Sequence, residues 1–150
     1  IGHMHIDDGI TETCGCGSRG CLEQVCGTKG ILNETTRLAH LKPTSIDLKN
    51  LTVKAVFDAA KKNDQVGFEV VDKVAKYIAK AASIISVIVD PDAFIIGGGV
   101  SKSGEFLIEL IKKHYQKFAR FASGSKPFLL AEKGNDAGFI GAALLVCSIK

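Results

Sequence analysis

The sequence has no long apolar run, no block of like charge and no recognisable targeting segment. Its longest strongly apolar stretch, residues 81–89, is too short to cross a bilayer, which argues against a membrane protein. The 19 basic and 16 acidic residues are spread along the chain, so no basic surface for nucleic acid is indicated. Residues 1–6 contain neither a basic start nor an apolar signal-peptide centre, and position 1 is not Met. We expect the chain to begin inside a larger protein.

The cysteines do not have the pattern of a disulfide framework. There are five of them, an odd number, and four fall between Cys14 and Cys26. Cys147 stands apart in an apolar helical pattern near the other end. A clustered, odd set favours a metal in a reducing compartment over oxidised pairs, so we expect a cytoplasmic protein.

Hydrophobic periodicity predicts a layered α/β domain. A short strand over residues 1–6 is followed by a loop and by a helix over 21–41 that is kinked or split at Gly27 or Gly30. Two helices are expected over 51–62 and 65–89. After Asp90-Pro91-Asp92, a strand over 93–96, covered on both faces, alternates with a helix over 106–120, a strand over 128–131 and a helix over 136–149.

The cysteine cluster is the strongest chemical signal. Cys14, Cys16 and Cys21 are separated by glycines that let the backbone wrap tightly around an ion. Structural zinc takes four thiolate or imidazole ligands, which leaves one place for His3 or His5. Both histidines would point to the same face of a strand, so alternation does not choose between them. The alternatives are that Cys14 and Cys16 are redox-active, that Cys21 and Cys26 pack as small apolar residues, or that Cys26 completes a four-thiolate site.

A glycine-rich turn follows the predicted strand at 93–96. In Gly97-Gly98-Gly99-Val100-Ser101, backbone amides before a helix are suited to approach a phosphate or nucleotide, although such glycines often serve close packing alone. A second turn, Gly134-Asn135-Asp136-Ala137-Gly138, follows the next strand. Two such turns at the ends of successive strands point toward one crevice.

Four segments together resemble the ROK family of bacterial sugar kinases and sugar-responsive repressors. They are Ile1-Gly2-His3, the block from Cys14 through Cys21 to Glu23, the segment from Asp90 to Ser101, and the run from Gly134 to Ala143. The resemblance covers essentially the whole chain. It implies the C-terminal part of an actin-like ATPase (ribonuclease H-like) fold, with a zinc-binding loop at 7–23 and an α/β core at 51–150.

The resemblance also implies roles for individual residues. Zn²⁺ would be bound by His3, Cys14, Cys16 and Cys21, and His3 and Glu23 would contact the sugar hydroxyls. The turn formed by Gly97, Gly98, Gly99 and Val100 would lie beside the adenosine of ATP.

The resemblance implies ATP- and Mg²⁺-dependent phosphorylation of a hexose, with glucose converted to glucose 6-phosphate, by a homodimer. The family's phosphate-binding motif and catalytic aspartate are absent from these 150 residues, so no catalytic residue is nominated and the fragment alone is expected to be inactive. The alternatives are the sensor domain of a ROK-type repressor and a zinc-stabilised interaction module that binds no sugar.

Overall fold

The computed structural model describes residues 1–98, 104–119, 126–132 and 137–148. Within these ranges the chain is mostly helical, with one small parallel sheet and a single 3-10 turn at Leu48–Asn50. The elements in chain order are α1 (Leu22–Cys26), α2 (Thr28–Ala39), α3 (Val53–Lys61), α4 (Gln65–Val89), β1 (Phe94–Ile96), α5 (Glu105–Phe118), β2 (Phe128–Leu130) and α6 (Ala137–Ser148). No described helix combines the length and apolar character that a bilayer crossing requires.

Helix α4 is the central helix of the core. Asp64 caps its N-terminus, because the Asp64 carboxylate accepts a hydrogen bond from the Gly67 amide at 2.9 Å. Asp90, with a left-handed φ of 43°, caps its C-terminus. Helices α3 and α5 pack against its apolar stripes. The fully buried members of this cluster include Val56, Val66, Val70, Val71, Val74, Leu107, Ile108 and Ile111.

The sheet has the parallel connection of an α/β unit. Strands β1 and β2 pair in parallel, with Phe94 opposite Phe128 and α5 as the crossover. The two phenyl rings stack at 5.0 Å and face the α5 side of the core. The sequence predicts that the strand over 93–96 is covered on both faces. This prediction is wrong for this chain, because Ile95, on the face of β1 away from the core, is 69% exposed.

The N-terminal segment is not the strand that alternation predicts. The Met4 amide donates to the Ile1 carbonyl at 2.8 Å, so the chain turns at Gly2 and His3. Only His5 then pairs in an isolated antiparallel bridge, with Cys21. The turn separates the directions of His3 and His5, which a continuous strand would have made equal.

The predicted helix break falls at Gly27. This residue ends α1 and begins α2, and a Cβ there would lie 2.5 Å from the Glu23 carbonyl oxygen. Gly27 is therefore required by a close backbone approach. Gly30 lies inside α2, where a Cβ would likewise clash with the Gln24 carbonyl oxygen of α1. The helices predicted over 51–62 and 65–89 are confirmed as α3 and α4, with ends that differ by no more than two residues.

The crossing of α3 and α4 depends on Gly67. A Cβ at this position would lie 2.7 Å from the Ala60 backbone nitrogen, closer than packed atoms tolerate. We expect Gly67→Ala to lower the free energy of unfolding by about 1–2 kcal/mol, because the overpacking cost exceeds the gain in helix propensity. Gly138→Ala in α6 is the control, since a Cβ there meets no described atom within 4 Å. Urea unfolding of both variants checks the prediction, which fails if Gly67→Ala is as stable as the parent.

A carboxylate with two cationic partners joins α2 to α4. Glu34 accepts hydrogen bonds from Arg37 at 2.8 Å and from Lys73 at 3.0 Å, and its side chain is 17% exposed. Arg37 and Lys73 lower the pKa of Glu34 from its usual 4.5 to about 2. A carboxylate with a depressed pKa stabilises the fold fully above its unfolded pKa, and this stabilisation disappears as the pH falls through the folded value.

We therefore expect Glu34→Gln to destabilise the chain at pH 7 by about 1 kcal/mol, after allowing for solvent screening. The difference from the parent should shrink steadily between about pH 5 and pH 2. Urea unfolding of parent and variant across this range measures it. Glu109→Gln, at an exposed position of α5, serves as the control. A difference that stays constant over the range would contradict the assignment.

Candidate metal centre

The cysteine loop, residues 7–23, is closed by backbone hydrogen bonds to the N-terminal segment. Ile6 N donates to Gly20 O at 2.7 Å, Leu22 N donates to Met4 O at 2.9 Å, and Glu23 N donates to Gly2 O at 2.8 Å. These bonds place the turn at His3 directly against the end of the loop. Residues 18 positions apart in the sequence are thereby brought into one cluster.

Four side chains converge in this cluster. One ligand atom from each of His3, Cys14, Cys16 and Cys21 lies within 4.8 Å of every other. Cys14 Sγ is 3.7 Å from His3 Nδ1, and Cys16 Sγ is 3.6 Å from Cys21 Sγ. All described cysteines are free thiols.

The separations between the ligand atoms suit tetrahedral coordination of a metal ion. With zinc–sulfur bonds of about 2.3 Å and zinc–nitrogen bonds of about 2.0 Å, tetrahedral geometry separates two sulfurs by about 3.8 Å and sulfur from nitrogen by about 3.5 Å. The observed separations of 3.6 and 3.7 Å are close to these edges. Three thiols and one imidazole therefore form a donor set that can hold a metal and that fits Zn²⁺.

A short turn aims Cys14 and Cys16 at the cluster. Cys14 N donates to Ser18 O at 2.7 Å, and Gly17 N donates to Cys14 O at 2.8 Å. Gly17 has a φ of +85°, a conformation that side chains with a Cβ rarely adopt. The glycines between the cysteines thus serve the tight wrapping that the sequence indicates.

The thiols differ in how readily they ionise. A backbone hydrogen bond from Ser18 lowers the pKa of the exposed Cys16 thiol. Burial raises the pKa of Cys21 to about 12 in the metal-free chain. A metal that binds this cluster must therefore displace a proton from Cys21.

His5 and Cys26 lie outside the cluster. His5 Nδ1 is 2.8 Å from Arg19 O, and His5 Nε2 is 2.8 Å from the Asp8 carboxylate, so both ring nitrogens are engaged at the base of the loop. Cys26 Sγ donates to Val74 O at 3.7 Å, and burial raises the Cys26 pKa to about 12. The structure thus brings His3, and neither of these residues, to the three cysteines.

Glu23 stands beside His3. It occupies the first turn of α1, which begins after Cys21, and Gln24 Oε1 accepts a hydrogen bond from the Cys21 amide at 3.0 Å. Glu23 Oε2 is 3.7 Å from His3 Nδ1, and the two side chains are 60% and 59% exposed. An imidazole and a carboxylate are therefore presented together to solvent. Glu23 also lines a cavity of about 330 Å³, together with Glu12, Thr13, Cys14, Gly15, Gln24, Lys29, Gly30 and Asn33.

The glycine turn is described only at its start. Gly97 follows β1, and a Cβ on it would lie 3.4 Å from Ala131 Cβ, while Gly98 has a φ of +78°. Gly99 and Val100, like Gly134, Asn135 and Asp136 of the second turn, lie outside the described residues. Ala131 N donates to Ile96 O at 2.9 Å, so the two strands end side by side.

Sequence reasoning missed the contacts that support the loop from α4. The Tyr77 hydroxyl donates to the Asp7 carboxylate, and Lys80 Nζ donates to Ile6 O at 2.7 Å. Asp7 also accepts from Gly9 N at 2.9 Å, which is the turn role its sequence context predicts. No local spacing reveals the other contacts, because the partners are 70 or more positions apart.

The fold is that of ROK sugar kinases, in the actin-like ATPase class. A ROK glucokinase from Streptomyces griseus, solved with glucose and AMPPNP, aligns with a TM-score of 0.85 and 27% identity over 96% of this chain and 49% of its own. The ROK family model matches residues 1–149, and the chain belongs to that family.

Individual relatives include both kinases and regulators. The glucokinase of Halalkalibacterium halodurans is 38% identical over 97% of this chain and 46% of its own length. The transcriptional regulator NagC of Escherichia coli is 27% identical over 75% of this chain and 28% of its own length. The chain spans about half the length of the curated glucokinases it matches.

Proposed function

We propose that this chain is the C-terminal part of an ATP-dependent hexose kinase that converts glucose to glucose 6-phosphate. It would contribute the cysteine loop at 7–23 and the α/β core at 51–150. The observation that carries the proposal is the exposed pair of His3 and Glu23, 3.7 Å apart, at the edge of a cluster suited to a metal. The 38% identity to a glucokinase supports glucose as the hexose.

In this proposal, His3, Cys14, Cys16 and Cys21 hold a structural Zn²⁺. With all four positions filled by protein, such an ion orients its ligands and leaves no open position for a reacting water. His3 would use Nδ1 toward the cluster, which leaves Nε2 to meet a sugar hydroxyl. The Glu23 carboxylate would accept a hydrogen bond from a neighbouring hydroxyl, held in place by the backbone bond from Glu23 N to Gly2 O.

The nucleotide would lie at the ends of β1 and β2. Gly97 and Gly98, continued by Gly99 and Val100, would allow the backbone to approach the adenosine of ATP. The general base that takes the proton from the attacking hydroxyl, and the groups that hold Mg²⁺ and the phosphates, would come from the remainder of a longer protein. We expect that protein to act as a homodimer in the cytoplasm.

An exposed apolar surface supports a second, covering part of the protein. Val87, Ile88 and Val89 at the end of α4 are between 65% and 76% exposed, and Ile95 of β1 is 69% exposed. In α6, Phe139, Leu145 and Val146 are 70–80% exposed, although a helix apolar on all sides is normally enclosed. The remainder of a two-part kinase would cover these side chains.

The test is phosphoryl transfer by the complete protein and by the 150-residue chain. The complete protein should convert ATP and glucose to ADP and glucose 6-phosphate, and the chain alone should show no turnover above background. Turnover by the chain alone would contradict the placement of the general base elsewhere. Sugar binding without turnover by the complete protein would instead support the alternative of a ROK-type repressor. The match to the regulator NagC is the observation on which that alternative rests.

A further inference from the structure

Helix α4 contacts the cysteine loop where the two arms of the loop come together. We call this place the neck and define it as Ile6, Asp7 and Gly20. Ile6 N donates to Gly20 O at 2.7 Å, and Asp7 N donates to the same oxygen at 3.3 Å. Gly20 has a φ of +69°, and a Cβ on it would clash with Asp7 O. The two arms of the loop therefore meet at van der Waals contact, immediately before Cys21.

Two polar side chains of α4 donate hydrogen bonds to the neck. The Tyr77 hydroxyl donates to the Asp7 carboxylate, and Lys80 Nζ donates to Ile6 O at 2.7 Å. Ile6 is 2% exposed and packs with Leu22 and Ala81, with Tyr77 at the border of that small apolar cluster. Hydrogen bonds thus fix Ile6 and Asp7 of the neck to one turn of α4, and apolar packing fixes Ile6 a second time.

The surroundings of Tyr77 and Asp7 keep the phenol protonated and the carboxylate charged, as their hydrogen bond requires. Burial and the carboxylate raise the pKa of Tyr77 to about 12, so the phenol keeps its proton and acts as the donor. The hydroxyl of Tyr77 in turn lowers the pKa of Asp7, which keeps the carboxylate charged. A charge-assisted bond of this kind is stronger than one between neutral groups.

The support that α4 provides is rigid. Val70, Val71, Val74 and Ala75, in the turns before Tyr77, are at most 1% exposed and pack in the main core. By contrast, the loop is built of turns, glycines and polar residues, and Cys14, Gly15 and Glu23 border an open cavity. The neck therefore helps to set the position of the loop relative to the core, together with Gln24 of α1, whose side-chain amide donates to Glu12 O at 2.9 Å.

We propose that Tyr77 and Lys80 are positioning residues of the metal and sugar site: by holding Ile6 and Asp7, they set where His3 and Glu23 stand. His3 is three residues before Ile6 in the chain, and Glu23 is three residues after Gly20. A shift of the neck therefore moves both, and with them the relation of His3 to the cysteines. The sugar part of this inference rests on the proposed function, whereas the metal part does not.

The metal part is tested with Tyr77→Phe in the 150-residue chain. This variant keeps the ring and removes only the donor to Asp7. We expect the dissociation constant for Zn²⁺, measured by competition with a chromogenic chelator, to rise about tenfold, the lower end of what loss of a supporting partner costs a metal site. The visible absorption bands of the Co²⁺-substituted chain should also change in position or intensity. Lys80→Met should shift both readouts in the same direction.

Tyr115→Phe is the matched control. Tyr115 lies on α5, and its hydroxyl is 2.7 Å from Ser86 Oγ on α4, so the variant removes the same phenol oxygen from a hydrogen bond to the same helix, away from the loop. This variant should leave the Zn²⁺ dissociation constant within about twofold of the parent and leave the Co²⁺ spectrum unchanged, even where it lowers stability. The inference is overturned if Tyr77→Phe has no effect on either readout, or if Tyr115→Phe has the same effect.

The sugar part is tested in the complete protein. Tyr77→Phe should raise KM for glucose about tenfold and leave kcat within about twofold, because a displaced His3 and Glu23 weaken sugar binding without removing the group that performs the chemistry. A fall in kcat at constant KM would overturn this part. If the complete protein phosphorylates no hexose, the proposed function fails, while the metal readouts still decide the role of Tyr77.

Discussion

Replacing Cys16 by Ser is expected to weaken Zn²⁺ binding by more than about a hundredfold, because loss of a supporting residue alone costs 10- to 100-fold and Cys16 would be a ligand itself. Cys16 is exposed, so the substitution leaves no cavity in the core. The measurement is zinc content after dialysis, together with chelator competition. The loss of a ligand should also lower the melting temperature, since metal binding free energy contributes to folding of the loop.

Cys26→Ser provides the control for this experiment. Cys26 lies five residues after Cys21 and donates to Val74 O outside the cluster. We expect it to retain one zinc per chain, at some cost in packing stability. Equal loss of zinc from both variants would contradict the assignment of the ligands, and retention of zinc by Cys16→Ser would contradict it more directly.

Replacing Glu23 by Gln in the complete protein is expected to reduce kcat/KM for glucose by about 10- to 150-fold. This is the cost of losing one hydrogen bond to a charged acceptor, about 1.5–3 kcal/mol, at a site where sugar displaces water. Glutamine keeps the size of the side chain, so the backbone bond to Gly2 O and the start of α1 remain. Zinc content should stay at that of the parent.

Glu12→Gln is the matched control for Glu23→Gln. Glu12 lines the same cavity as Glu23, and its replacement by Gln removes the same charge. The carboxylate that lies 3.7 Å from His3 is that of Glu23. Steady-state kinetics and glucose-dependent thermal stabilisation should be within about twofold of the parent. If Glu12→Gln and Glu23→Gln reduce kcat/KM equally, a general effect of charge would explain the loss better than a sugar contact.

Local sequence patterns predict much of this chain. The 3.6-residue periodicity predicts α3 and α4, and Gly27 is one of the two glycines at which the sequence indicates a break and is the residue that separates α1 from α2. The spacing of Cys14, Cys16 and Cys21 identifies three members of the cluster, since a wrapped loop depends on nearby residues. Features encoded within about ten positions are therefore accessible from sequence.

Long-range features are not accessible in the same way. The choice of His3 over His5 depends on the turn between Ile1 and Met4 and on the bond from Glu23 N to Gly2 O, neither of which alternation reveals. The contact of Tyr77 with Asp7 joins residues 70 positions apart. The exposure of Ile95 could not be predicted either, because an apolar strand segment reads the same whether or not its second face is covered in this chain.

X-ray absorption at the zinc edge of the purified 150-residue chain identifies the atoms that bind the metal. A site formed by His3, Cys14, Cys16 and Cys21 predicts three sulfur neighbours at about 2.3 Å and one nitrogen at about 2.0–2.1 Å. A His3→Ala variant should lose the nitrogen contribution, whereas a His5→Ala variant should keep it, because His5 lies outside the cluster. A first shell of oxygen atoms, or a chain purified without zinc that takes up none, would contradict this set of ligands.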